Sequence, residues 1–216
     1  MTTRHTNNEL RRKHILEAAG RVITERGICD ARIADIAKAA ETSTGLILYY
    51  FGSKDQLLAE ALTYAEDEFY LHVFNGITSI ADPREQLAYL IASSCPGVPE
   101  ADAVGDLVED WTLWLDLWAR ALHDDVAARK RAALDRRWRT TIADVVRAGQ
   151  RQGVFADVDP FDFAIEFAAL MDGLALQVVL DDTEFDGERM RRMLLDQAML
   201  RLAFKLDDAP AAAAGG

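Results

Sequence analysis

Hydrophobic positions fall at spacings of three and four over most of this chain, the period of one helix face. The densest pattern runs from Arg32 to Lys54. Ile33, Ile36, Ala37 and Ala40 share one face of a short helix, and Glu41-Thr42-Ser43 interrupts it. A second short pattern, Thr44 to Tyr50, follows with Ser43 placed as its N-cap. Two short helices joined by such a turn form the helix-turn-helix unit that lays its second helix in a DNA major groove. Upstream, Leu10, Ile15, Ala18, Ala19, Val22 and Ile23 predict an amphipathic helix that stops at Gly27. Thr6 and Glu9 have the spacing of a capping box at its start, which leaves residues 1–5 as a flexible arm.

Downstream, Ser53 caps a long helix carrying Leu57, Leu58, Ala61, Leu62, Ala65 and Phe69 to about Phe74. Asp82-Pro83 opens the next helix, with Leu87, Leu90 and Ile91, which ends before the loop Cys95-Pro96-Gly97-Val98-Pro99. Ala101 to Leu122 contains Trp111, Trp114 and Trp118. Asp124 to Gln152 carries Leu134, Trp138, Ile142, Val145 and Val146 on one side and closes at Gly153. Asp159-Pro160 begins a strongly apolar helix ending near Leu180, with the stripe Phe163, Phe167, Leu170, Leu174 and Val178. A last helix, Gly187 to Leu206, carries Met190, Met193, Leu194, Gln197 and Leu200. No strand period and no repeat is present, so the fold class read here is all-α. It has an N-terminal three-helix helix-turn-helix head (1–54), a helical-bundle body (55–206) and an Ala/Gly-rich tail (207–216) that reads as disordered.

Composition sharpens the division. The chain of 216 residues has a net charge of −12, which by itself argues against a DNA binder. Residues 1–56, however, hold nine Lys and Arg against seven Asp and Glu, and the rest hold fifteen against twenty-nine. The basic side chains therefore concentrate in the head, and the acidic body should face away from a duplex. No apolar run reaches the roughly 18 residues that a membrane span needs. MTTRHTNNEL lacks the apolar core of a signal peptide, and Cys29 and Cys95 are too far apart to suggest a metal site, so a reduced cytoplasmic location is expected. The four histidines, His5, His14, His72 and His123, each lack a Glu three residues earlier, so a di-metal bundle enzyme is not indicated. No phosphate loop or nucleophile elbow is present, and no cofactor or metal is expected.

The run IADIAKAAETSTGLILYYFGSKDQLL resembles the DNA-binding signature of the tetracycline-repressor-like (TetR) regulators. Ser43-Thr44-Gly45-Leu46-Ile47, with Tyr49-Tyr50-Phe51 and Lys54, is most similar to the choline-sensing repressor branch. The match is dense over about the first 60 residues and thins to a helix pattern beyond them. It departs at Glu41, where the family usually has Gly, and at Arg32, where a Ser or Thr normally caps the first helix. A non-Gly residue in a left-handed turn costs about 1–2 kcal/mol.

The resemblance implies a homodimeric repressor that binds a palindromic operator and is released by a small molecule. Carried over position by position, Thr44, Gly45 and Tyr49 lie at or near the bases, Gly45 permitting close backbone approach. Leu46 either touches a thymine methyl or packs inward. Ser43, Tyr50 and Lys54 contact phosphate, Arg32 joins the DNA-facing set, and Phe51 plugs the core. The basic run Arg11-Arg12-Lys13 is either a solvated face or a further phosphate contact. The apolar excess of the last two helices is either internal core or a two-fold interface of two helices per subunit, and the resemblance implies the interface. A ligand-independent DNA-binding protein or adaptor is the alternative function.

The ligand class follows from the body. Trp111, Trp114 and Trp118 recur on one face, Asp110 lies one turn before Trp114, and Asp172 interrupts an apolar run. Aromatic faces beside carboxylates suit an organic cation, at about 0.5–2 kcal/mol per cation–π contact. The alternative is that the tryptophans are core and Asp172 bonds nearby backbone.

Overall fold

The computed structural model describes residues 2–98, 111–181 and 183–206, and among these the chain is helices joined by turns. In order they are α1 (Thr2–Arg26), α2 (Ile33–Ala39), α3 (Thr44–Phe51), α4 (Lys54–Ser79), α5 (Pro83–Ala92), α6 (Trp111–Ala121), α7 (Asp125–Arg151), α8 (Pro160–Val179) and α9 (Gly187–Leu202). Contacts divide the chain into two compact units. The first takes residues 2–73 and 111–134, and the second takes 74–98 and 135–206.

In the first unit, α1 supplies Ile15, Ala18, Ala19, Val22 and Ile23 to a core completed by Ile36 and Ala37 of α2, Ile47 and Phe51 of α3, and Leu57, Leu58, Ala61 and Leu62 of α4. Each fully buried Ile, Leu or Phe contributes about 1.5–3 kcal/mol of hydrophobic stabilisation. The start of α1 differs from the sequence expectation: Thr6 lies inside the helix, and residues 2–5 belong to it rather than to an arm. No Gly or Pro interrupts residues 2–9, so helix propagation, one hydrogen bond per added residue, runs back through them. The helix α4 likewise continues past Phe74 to Ser79.

In the second unit, Asp82 caps α5 by accepting from the Arg84 amide at 2.8 Å, with Pro83 in the first turn. The Arg84 guanidinium, 2.6 Å away, holds that carboxyl below its ordinary value. Asp159 caps α8 in the same way, accepting from Phe161 and Asp162. The stripe expected on α8 is corrected beyond Phe167. Its buried face is Phe163, Ala164, Phe167, Ala168, Met171 and Ala175, while Leu170 is exposed. The small alanines let α9 pack closely, a role that a reading weighted to large residues does not detect. The helix α9 ends at Leu202, short of Leu206, because Ala203 takes a left-handed conformation (φ 53°) and returns Phe204 onto Phe155, ring centroids 5.0 Å apart. Large apolar side chains nonetheless stay exposed on both helices: Phe161, Ile165 and Leu170 on α8, Met193 and Leu200 on α9.

Gly187 opens α9 against the loop after α5. A Cβ there would meet the Pro96 carbonyl oxygen at 2.0 Å, and backbone cannot move aside cheaply. Gly187→Ala should therefore destabilise the chain by about 1–3 kcal/mol, the usual range for overpacking, measurable as a lower urea midpoint.

Candidate nucleic-acid interface

The turn between α2 and α3 is a Schellman motif. The Thr42 amide donates to Ala37 O at 2.9 Å and the Glu41 amide to Lys38 O at 3.2 Å, which satisfies two orphan carbonyls at the end of α2. This geometry requires a left-handed residue, and Glu41 supplies it with φ 47°. The strain expected from the sequence at this position is present. Glu41→Gly should raise thermal stability by up to about 1 kcal/mol, because glycine takes this conformation without steric cost but loses more chain entropy on folding. Arg32 begins α2 without a side-chain cap; its own carbonyl accepts from Asp35 and Ile36, and the residue is exposed.

Ser43 opens α3, its Oγ accepting from the Leu46 amide at 3.2 Å. That bond uses a lone pair and leaves the hydroxyl proton to donate outward. Ile47 (0 % exposed) and Phe51 (2 %) fasten α3 to the core. Those two anchors turn Thr44, Gly45, Leu48 and Tyr49 to the outside, with Tyr49 80 % exposed. Leu46 is half-buried. A Cβ on Gly45 would meet nothing nearer than Ser43 Oγ at 3.9 Å, so no internal packing demands a glycine here. Leu48, 43 % exposed, belongs to this face and was not foreseen, because a leucine in a short apolar helix reads as core. Its signal was its position one turn after Thr44.

The flanking groups are fixed by the chain itself. The Tyr50 hydroxyl donates to Asn8 Oδ1 at 3.1 Å, and its ring meets Tyr49 edge-on at 5.5 Å, which steadies the exposed ring. Lys54, the first residue of α4, donates through Nζ to the Cys29 carbonyl at 3.3 Å. Of the basic run on α1, Arg11 is exposed. Lys13 lies near Glu17 and Glu68 and over the Tyr64 ring, and its pKa is raised, first by its hydrogen bond with Tyr64. Arg12 turns inward to Tyr50 and Glu60.

The helix α6 belongs to the same unit. Asp116 accepts from the Ile28 amide at 3.1 Å, tying the turn after α1 to α6, a contact that no sequence pattern announced. Trp111 and Trp118 come together edge-to-face with centroids 6.4 Å apart, and Trp114 is half-buried on the same helix. The Trp118 indole N–H is buried with no acceptor among the described residues. Asp110 lies outside the described residues. Asp172 is half-buried on α8, in the other compact unit, and it interacts with other groups there rather than standing alone. In the first unit Lys130 donates to Ala59 O at 2.7 Å; burial lowers its pKa, against Glu66, Asp67 and Glu60 nearby. Among the described residues no group of three His, Cys, Asp or Glu is placed to hold a metal ion, and no helix is long and apolar enough to cross a membrane.

Known proteins share both parts of this arrangement. The family described as bacterial regulatory proteins, tetR family, matches residues 15–61, and the BetI-type transcriptional repressor C-terminal family matches residues 83–203. The regulator BetI of Burkholderia lata is 27 % identical over 197 residues, covering 90 % of this chain and 95 % of its own. PksA of Bacillus subtilis is 28 % identical over 191 residues, covering 88 % of each. Among solved structures, a transcriptional regulator from Saccharomonospora viridis in complex with choline has a TM-score of 0.75 at 34 % identity, over 88 % of this chain and 95 % of that one. A TetR regulator from Haloarcula marismortui has a TM-score of 0.77 at 26 % identity, over 90 % and 99 %. A helix-turn-helix with an exposed face on its second helix, helices through the other described residues and these two family matches make the chain a member of the TetR family of DNA-binding transcriptional regulators, with a BetI-type repressor C-terminal part.

Proposed function

We propose that the protein represses transcription as a homodimer whose α3 helices read successive half-sites of a near-palindromic operator, and that an organic cation bound against α6 releases it. The observation that carries the DNA reading is the outward face of α3. There Gly45 has open space around it and Tyr49 stands exposed beside it, on a helix anchored by Ile47 and Phe51. Thr44, Gly45, Leu48 and Tyr49 approach the bases; Arg32, Ser43, Tyr50 and Lys54 meet the backbone. The exposed apolar side chains of α8 and α9 support a two-fold interface, since a lone chain gains nothing by leaving Phe161, Ile165 and Leu200 in water. The protein acts with its operator in the cytoplasm.

The effector reading rests on the indole cluster and on the choline held by the Saccharomonospora viridis regulator. Indole faces attract a quaternary ammonium. The buried Trp118 N–H adds a donor suited to a hydroxyl or carboxylate oxygen on the same ligand. Asp110, one turn before Trp114 in the sequence, is the carboxylate proposed to balance its charge. Release requires the cation to bind the DNA-incompetent conformation more tightly than the competent one. Asp116, bonded to the Ile28 amide, offers one route from α6 to the turn that precedes α2.

The test is to enrich duplexes from a random-sequence library with the purified protein and to count bound chains. Two chains on a near-palindrome, with half-sites ~34–36 Å apart or a multiple of it, is the expected result; one chain on an asymmetric site overturns it. On the enriched duplex, Lys54→Ala should weaken all sequences alike and lower the salt slope by about one unit, whereas Thr44→Ala should change sequence preference. Equal loss on every sequence for both variants would contradict this division of roles.

A further inference from the structure

We infer that Arg12 is the positioning residue that sets the orientation of α3 toward DNA, rather than a phosphate contact. The inference rests on reading α3 as the recognition helix. The last carbonyls of a helix have no partner within it. In α3, Leu48 O accepts from Gly52 N at 2.8 Å and Phe51 O from Ser53 N at 2.9 Å. Tyr50 O is satisfied from a different helix, 38 residues away in sequence, by Arg12 Nη1 at 2.9 Å.

The same guanidinium makes two further contacts. Its Nη2 donates to Glu60 of α4, and its Cζ lies 4.5 Å above the centroid of the Phe51 ring. One planar group thus joins α1, the C-terminal end of α3 and α4, at a helix end where positive charge is favoured. Only arginine supplies this set, because its donors are held in a rigid fork and its face stacks on an aromatic ring; a lysine ammonium on a flexible stem cannot bond a carbonyl and a carboxylate and stack at once. The result of the arrangement is directional. Ile47 and Phe51 fix how deeply α3 seats, but side chains on one face leave the helix able to rock. Arg12 holds its far end from above, and Tyr50, which carries the bonded carbonyl, steadies Tyr49 on the reading face.

The test uses the full-length chain, a duplex enriched by the parent protein, and an unrelated duplex. Arg12→Ala and Arg12→Lys, each checked as folded by circular dichroism, should bind the enriched duplex at least tenfold more weakly. The salt slope of Arg12→Ala should stay at the parent value, and amide exchange at residues 47–52 should quicken in the DNA-free protein. Glu60→Gln should shift both readouts the same way by less, and it carries the test with Arg12→Lys if Arg12→Ala does not fold. A salt slope lower by about one unit in Arg12→Ala would assign Arg12 to phosphate instead. Parent-like exchange and binding in Arg12→Lys would show that any cation suffices and would likewise overturn the proposal. Thr44→Ala on the same duplex separates the two claims: unchanged sequence preference removes α3 as the reading helix, while the exchange data still decide what Arg12 does.

Discussion

Phe51→Ala should cost about 3–5 kcal/mol of stability, the range for emptying a large aromatic site in a core, and should remove specific DNA binding even where the chain remains folded. Phe51 is 2 % exposed and lies under the Arg12 guanidinium. The helix that ends on it has only eight residues, and a helix that short is not stable alone in water. Its order comes from Ile47, Phe51, the Ser43 cap and the Arg12 bond. Removing the ring deletes one anchor and the surface on which Arg12 stacks. Against a total stability of about 5–15 kcal/mol for a typical domain, the loss is large, yet it can leave the second unit's core intact. Urea unfolding should show the lowered stability. Duplex binding, measured at a temperature where circular dichroism remains helical, should show at least a hundredfold weaker specific affinity. A variant that unfolds 3 kcal/mol sooner but binds the enriched duplex like the parent would contradict the role given to α3.

The second large effect concerns the response to the effector. Trp114→Ala and Trp118→Ala should each raise the choline concentration needed for release while leaving duplex affinity within about twofold. A cation–π contact contributes about 0.5–2 kcal/mol, so the loss of one indole weakens the effector by about twofold to thirtyfold. Trp118→Phe separates the two parts of that indole: it keeps an aromatic face but removes the N–H that is buried without an acceptor among the described residues. If the ring alone matters, Trp118→Phe behaves like the parent toward tetramethylammonium and choline alike. If the N–H bonds the ligand oxygen, it loses affinity for choline only. Asp110→Asn should weaken a cation and spare a neutral compound of similar size. Release by choline at the parent concentration in both Trp→Ala variants would rule out the indole site.

Much of this fold was legible because helix signals are local. Asp82-Pro83 and Asp159-Pro160 marked helix starts that the structure retains, with each Asp accepting from the following amides. Ser43 and Ser53 were readable as caps for the same reason, and Glu41 was readable as a strained residue because the family it resembles has glycine in that turn. What escaped the sequence depends on partners distant along the chain. The inward face of α8 could not be chosen from its large residues alone, because the close packing of α9 selects alanines. The bend at Ala203 needs Phe155, about fifty residues earlier, to receive Phe204. Asp116 and Arg12 belong to the same class. Arg12 read as a solvated charge or a phosphate contact and Asp116 stood in no pattern, yet each bonds a backbone group of another helix or turn. A signal for Arg12 was present: it lies three residues before Ile15, on the buried stripe of α1 rather than on its wet side.

A cation bound by this chain and DNA bound by α3 should oppose each other. Linkage makes the claim measurable from both directions, because the factor by which choline weakens duplex binding must equal the factor by which duplex weakens choline binding. Calorimetric titration of choline into the protein, with and without saturating enriched duplex, tests it most directly. The predicted result is a choline dissociation constant raised at least fivefold by the duplex, matched by the same factor in duplex affinity at saturating choline. A choline affinity that the duplex leaves unchanged would contradict the account.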